Sequence, residues 1–171
     1  MTAAPDRAGS PIPAQTELLE LDVPDTIEQS VRIAAPVERV WALVSEPGWF
    51  ANVDALTAHR LERDGDLTTV HDPVHGPFVF RTMALEPPTY AAFRWLADAA
   101  DPGGASTLVE FTLTPYDGGV ELRVVESGFA TLPGDARKRR AVYDENVDGW
   151  ETELRLAQEH LEAGGGALSV G

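Results

Sequence analysis

The segment DARKRRAVYDENVDGWETELRLAQEHLEA, residues 135–163, decides the fold. Asp135 has the side chain of a helix N-cap, and no breaker follows until Gly164-Gly165-Gly166. Within the run, Val147, Trp150, Leu154, Ala157 and Leu161 fall at three- and four-residue steps, which places them on one narrow apolar stripe. The spacing predicts a single helix which, at about 1.5 Å per residue, reaches roughly 40 Å. Such a rod can lie across a whole sheet. Gly149, beside Trp150, costs about 1 kcal/mol relative to alanine inside a helix. Close approach of a sheet, or room for something bound there, would account for it.

Outward from this helix, residues 57 to 129 switch to a period of two. Strands are expected at Thr57–Arg63 and Leu67–His71, around the hairpin turn Asp64-Gly65-Asp66. Phe78–Leu85 follows, closed by Glu86-Pro87-Pro88, then Tyr90–Leu96 and a loop rich in Gly, Pro and Ala. Thr107–Thr114 and Val120–Glu126 are joined by the turn Pro115–Gly119. Ahead of the meander, Thr26–Ile33 puts Ile27, Val31 and Ile33 on one face. Ala35-Pro36 opens a helix striped by Val37, Val40, Trp41 and Val44, ended by Pro47-Gly48, and Trp49–Leu56 reads as short helical or irregular.

Strands joined by short turns, without helices between them, imply an antiparallel meander rather than parallel βαβ units. The expected class is α+β: about six to seven strands in a curved antiparallel sheet, two short helices after the first strand, and the long helix last. A strongly bent sheet does not close on itself and needs a cover for its concave face. The final helix is the only element long enough. The expected domain is 25–163, with a flexible arm at 1–24, where Pro5, Pro11, Pro13 and Pro24 concentrate, and a flexible tail at 164–171. Glu17–Val23 alternates loosely and could add a short edge strand.

Composition excludes several functions. Cysteine is absent, which removes disulfides, thiolate catalysis and cysteine-ligated metals. A net charge of −15 opposes nucleic acid and anionic membrane as partners. The basic run Arg137–Arg140 is short, is followed by Asp144, Glu145 and Asp148, and reads as a solvated helix face. No stretch is long and apolar enough to span a bilayer, and Met1–Ser10 lacks the pattern of a secretory signal, so the expected location is cytoplasmic. His71 and His75 flank Asp72, but Pro73, Gly76 and Pro77 break any helix that would align them on a metal. Neither a metal nor a cofactor is expected. No serine-based triad or phosphate-cradling glycine loop is visible.

Four stretches, in order, resemble the activator-of-Hsp90-ATPase-like branch of the START or Bet v 1-like superfamily. They are Ile33-Ala34-Ala35-Pro36-Val37-Glu38-Arg39-Val40-Trp41; Leu85-Glu86-Pro87-Pro88 with Tyr90, Phe93 and Trp95; Thr107, Val109, Phe111, Leu113 with Leu122, Val124, Glu126, Gly128 and Phe129; and Gly149-Trp150 with Leu154. The resemblance spans residues 26 to 162 and implies the helix-grip fold. Its members bind apolar or aromatic small molecules, act as polyketide cyclases or assist Hsp90, and share no universal catalytic residue.

The candidate site follows from which side chains face the helix. Phe78, Phe80, Phe93, Trp95 and Phe111 lie on strands, and Tyr143 and Trp150 on the covering helix. They form either an ordinary core or the lining of an apolar chamber for a flat ligand. Glu126 continues the Leu122, Val124 face and should point inward, whereas Arg94 is on the opposite side from Phe93 and Trp95. Asn146, one turn before Trp150, can present an amide to the chamber. A carboxyl there would have a raised pKa; it either bonds to the helix or a hydroxyl, or works as an acid or base. The expected function is binding of an apolar, aromatic or polyketide-like small molecule for carriage, sensing or sequestration, including self-resistance. A cyclase or aromatase using Glu126 and a chaperone-associated stress protein stand as alternatives.

Overall fold

Seven strands and two α-helices follow one another in the computed structural model, which describes residues 22–52 and 54–168. The strands are β1 (Thr26–Ile33), β2 (Arg60–Asp64), β3 (Leu67–Asp72), β4 (Gly76–Glu86), β5 (Tyr90–Leu96), β6 (Ser106–Tyr116) and β7 (Gly119–Ser127). The helices are α1 (Val37–Val44) and α2 (Ala136–Glu162), with 3-10 turns at Pro47–Phe50 and Phe129–Thr131. The edge strand expected at Glu17–Val23 falls mainly on residues 17–21, outside the described residues, as does most of the 1–24 arm.

All seven strands join one sheet in the order β1-β7-β6-β5-β4-β3-β2. Every pairing is antiparallel. The meander thus runs from β2 to β7, and β1 closes against its last strand. Alternation is cleanest in β6 and β7, where Thr107, Val109, Phe111 and Leu113 are buried, as are Val120, Leu122, Val124 and Glu126. Pairing of Val109 with Glu126, Phe111 with Val124 and Leu113 with Leu122 sets both apolar rows on one face. A register shift between Thr82 and Ala84 interrupts the β4–β5 ladder, a bulge of the kind that bends and twists a strand. The sheet is curved, and its hollow side receives the helices.

Most strand bounds fall within two residues of those expected, and one start differs by three. β2 begins at Arg60 rather than Thr57, because the preceding residues are held elsewhere: Thr57 N–H donates to Asn52 Oδ1 (2.9 Å), and the His59 ring bonds Ala51 O. In α1 the fully covered positions are Val40, Leu43 and Val44, while Val37 and Trp41 are half-buried.

α2 starts where its cap predicts: Asp135 accepts from Lys138 N–H at 2.8 Å. Its C-terminal half is sunk deepest, with Trp150, Leu154, Ala157 and Leu161 in the core. Side chains pin it along β1: Gln29 Nε2 donates to Val147 O (2.9 Å) and Gln158 Nε2 to Arg32 O (2.8 Å). Beyond the helix, Gly164 takes φ +90°, the conformation that lets the chain turn back. His160 Nε2 then meets Gly166 O at 2.8 Å, and Leu168 packs against the core.

The interior beneath α2 is occupied. Trp49 and Phe50, on the 3-10 turn after α1, insert between sheet and helix and are almost wholly covered. The Phe50 ring lies 5.2 Å from Phe80, 5.6 Å from Phe111 and 5.1 Å from Trp150, centroid to centroid. Trp49 lies 5.3 Å from Phe111. Rings at these separations gain about 0.5–1.5 kcal/mol per pair beyond the area they bury.

Candidate functional site

With the centre filled, open space remains toward the β3–β4 end of the sheet. A cleft of about 350 Å³ lies there, between the middle of α2 and the strand ends. Its walls are the rings of Phe50, Phe78, Trp95 and Trp150. Phe78 and Trp95 meet edge to face at 5.7 Å, and Phe50 bridges from Trp95 (5.7 Å) to Trp150 (5.1 Å), so the four form a continuous aromatic surface. Asn52, Asp72, His75, Glu145, Asn146, Gly149 and Glu153 supply the rest of the lining with Ala51.

Of the residues singled out from sequence, Phe78, Trp95, Asn146 and Trp150 come together at this cleft. Phe80, Phe93 and Phe111 are fully buried beneath it and do not line it. Tyr143 sits elsewhere on α2, stacked edge-on against Phe129 at 5.2 Å, with its hydroxyl donating to Thr26 O. Gly149 belongs to the cleft, not to a tight helix–sheet contact: a Cβ built there would meet no atom within 4 Å.

Glu126 points inward, as its strand register requires, and lies just behind the cleft wall without lining it. Its carboxyl is completely buried and collects three donors. Thr107 Oγ1–H reaches Oε1 at 2.7 Å, Trp150 Nε1–H reaches Oε2 at 2.7 Å, and Asn146 Nδ2 sits 3.1–3.2 Å from both oxygens. Burial pushes its pKa up, against the pull of the Trp150, Thr107 and Asn146 hydrogen bonds. Chemically the group is a buried clasp from β7 to α2. It fixes the orientation of Trp150 and Asn146, two cleft residues, in the way a supporting shell orients a site.

Glu153, unlike Glu126, does line the cleft. It is 6% exposed, and Asn52 binds it twice, backbone N–H to Oε1 at 2.9 Å and Nδ2 to Oε2 at 2.7 Å. Burial pushes its pKa up to about 7, despite the lowering effect of the Asn52 side-chain and backbone bonds. Across the cleft, Asp72 accepts from Val74 N–H (2.7 Å), His75 N–H (3.2 Å) and His75 Nδ1 (3.2 Å). Burial acts to raise the Asp72 pKa, but these bonds outweigh it and hold the group below its usual value. His71 is drawn instead to Glu62 at 3.1 Å, so the two nearby histidines serve different carboxylates.

Glu153, Asn52 and Phe50 were not singled out by sequence reasoning. Glu153 carries a faint signal, three residues after Trp150 and next to Leu154 on the edge of the apolar stripe. Phe50 and Asn52 lie in an aperiodic segment that carries none.

A family model described as Activator of Hsp90 ATPase homolog 1-like protein matches residues 34–162. The chain belongs to this family. The match begins just before α1 and ends with the last residue of α2. Solved structures share the architecture. DynU16, described as a putative protein in the dynemicin biosynthetic locus, is 24% identical over 85% of this chain, with a TM-score of 0.61. The present chain spans only 50% of that one. The Aha1 dimer from Colwellia psychrerythraea is 16% identical, with 82% of this chain and 98% of that one covered and a TM-score of 0.60. BH1534 from Bacillus halodurans is 27% identical, covering 80% and 96%, at a TM-score of 0.54. No curated protein sequence matches the chain closely enough to count as a relative. In this Hsp90-ATPase-activator-like domain, then, sheet and helix follow the family plan, and the aromatic cleft with Glu153 is described by the chain's own residues. Among the described residues, no helix is long and apolar enough to cross a membrane.

Proposed function

We propose that the cleft binds a small, flat, largely apolar molecule, for carriage, sensing or sequestration. One observation carries this reading: about 350 Å³ of open space faced by four aromatic rings, in a molecule that fills the neighbouring interior with Trp49 and Phe50. Small-molecule sites occupy roughly 300–1,000 Å³, and a dry cavity of about 150 Å³ already accepts benzene. The cleft therefore suits a body of about two fused rings, smaller than an extended polyketide. Gly149 supports the reading, since the helix forgoes a side chain where one would enter the cleft without touching anything.

A second reading has an observation of its own. Glu153 faces the cleft with its pKa raised to about 7, the poise of a general acid or base. In an enzyme using the same cleft, Glu153 would take this role rather than Glu126, which is spent on its three donors.

Native mass spectrometry of freshly purified protein tests the binding reading. The expected result is a small-molecule adduct, or uptake of an added naphthyl probe, by wild type and by neither route in Gly149→Leu, whose side chain occupies the cleft. Wild type that takes up nothing, or a Gly149→Leu variant that binds equally well, would falsify it. Chemical conversion of a bound ligand that stops in Glu153→Gln would favour the enzyme.

A further inference from the structure

We infer that the ligand is a cation, an apolar ring system carrying one protonated amine, and that Glu153 is its counter-ion. This deepens the proposal above and rests on its reading of the cleft as a ligand site. Glu153 holds the key. Its two oxygens offer about four lone-pair positions, and among the described residues only two are filled, both by the neutral N–H groups of Asn52. Among the described residues, no lysine, arginine or histidine lies within ion-pair distance of it. A covered carboxylate with only neutral donors is poorly compensated, and a cation brought beside it supplies what the fold does not. The upward push on its pKa by burial agrees with that shortfall.

The surroundings select in the same direction. The other ionisable groups on the cleft are Asp72 and Glu145 with His75, and neither lysine nor arginine lines it. His75 is already committed to Asp72. Two of the four rings are tryptophans, the aromatic side chain that attracts cations best through its face. The net charge of −15 adds a field that draws cations toward the molecule and repels acids. A carboxylic acid of the same shape would meet three carboxyl groups and no fixed positive charge. A neutral ligand would cover Glu153 further without replacing the solvent it displaces.

Three probes of one shape separate the possibilities: naphthylmethylamine, naphthylmethanol and naphthoic acid, substituted at the same ring position. Their affinities for the wild-type chain are measured calorimetrically at pH 8 and moderate salt. The amine is expected to bind about tenfold more tightly than the alcohol, and the acid more weakly than either. In Glu153→Gln the amine and alcohol are expected to converge to within about twofold. Equal binding of amine and alcohol by wild type overturns the cation inference and leaves the cleft as a neutral-ligand site. An amine preference that persists in a folded Glu153→Gln overturns the assignment to Glu153. Binding of none of the three overturns the reading of the cleft as a site for ring systems of this size. The wild-type comparison stands on its own should the variant fail to fold.

Discussion

Replacing Glu153 by glutamine keeps the side chain's size and removes its charge. Wild-type Glu153 has a pKa of about 7 against an ordinary 4.5, because burial disfavours the ionised form. A carboxyl with a raised folded-state pKa holds its proton more tightly in the fold than in the unfolded chain. Its favourable contribution is therefore complete below about pH 4.5 and is lost as the pH rises through about 7. At about 1.4 kcal/mol per pH unit, ionising Glu153 in the fold costs roughly 3 kcal/mol more than in the unfolded chain. Glutamine escapes that cost but gives up one bond. It has a single carbonyl oxygen for two Asn52 donors, and Asn52 cannot simply turn over, since its Oδ1 already accepts from Thr57 N–H. The loss is about 1 kcal/mol.

The net expectation is that Glu153→Gln is more stable than wild type by about 2 kcal/mol at pH 8.5. For a chain of this size that is a rise of about 4–8 °C in Tm. Near pH 5 most of the charging cost has gone and the two proteins should melt together. Thermal unfolding followed by circular dichroism from pH 5 to 8.5 measures the difference. Asp72, His75 and Glu145 on the cleft, and Glu126 behind it, are common to both proteins, so subtraction isolates Glu153. A difference that stays flat with pH, or a variant less stable throughout, would refute the account of Glu153 as a buried, uncompensated acid.

Gly149→Ala should raise stability by about 1 kcal/mol, seen as a Tm increase, because alanine is the better helix former and its Cβ meets nothing. A drop in Tm would show that the space beside Gly149 is not open. Glu126→Leu strands the Trp150, Asn146 and Thr107 donors and should cost about 3 kcal/mol in urea unfolding; Glu126→Gln should cost about 1 kcal/mol, since the Thr107 hydroxyl can rotate to accept from the new amide. Equal losses in the two variants would contradict the clasp. Asp135→Ala removes the acceptor for Lys138 N–H and should lower stability by about 1 kcal/mol, while Asp135→Asn should recover most of it.

What could be read from the chain was whatever repeats. The period of two placed Glu126 on the buried face with Leu122 and Val124, and the steps of three and four placed Trp150, Leu154, Ala157 and Leu161 under the helix. Both readings needed only local order, and the register of β6 on β7 carries them into three dimensions. Trp49 and Phe50 obey no period. They ride a four-residue 3-10 turn, and nothing local says that such a turn dips into the hollow of the sheet rather than over its rim. That one insertion separates Phe93 and Phe111, which became core, from Phe78 and Trp95, which kept an open face. Glu153 was hidden for a related reason. A polar residue at the edge of an apolar stripe can turn to solvent or inward, and the choice here depends on Asn52, 101 residues away in the chain.

The two features that local rules disfavour also meet at one place. Glycine inside α2 forgoes about 1 kcal/mol of helix propensity, and the burial of Glu153 without a cation forgoes roughly 3 kcal/mol once it ionises. Gly149→Ala would recover the helix propensity, and a larger apolar side chain at the same position would fill the space. Elsewhere under α2 the chain adopts that solution, filling the space with Trp49, Phe50 and Phe111. Both departures lie along this wall, and such a concentration is what a binding site requires. The charging cost of Glu153 should then be recovered on occupation by a cation. A bound amine must protect the Asn52–Glu153 contact and raise Tm more at pH 8 than at pH 5, whereas an alcohol of the same shape raises it equally at both.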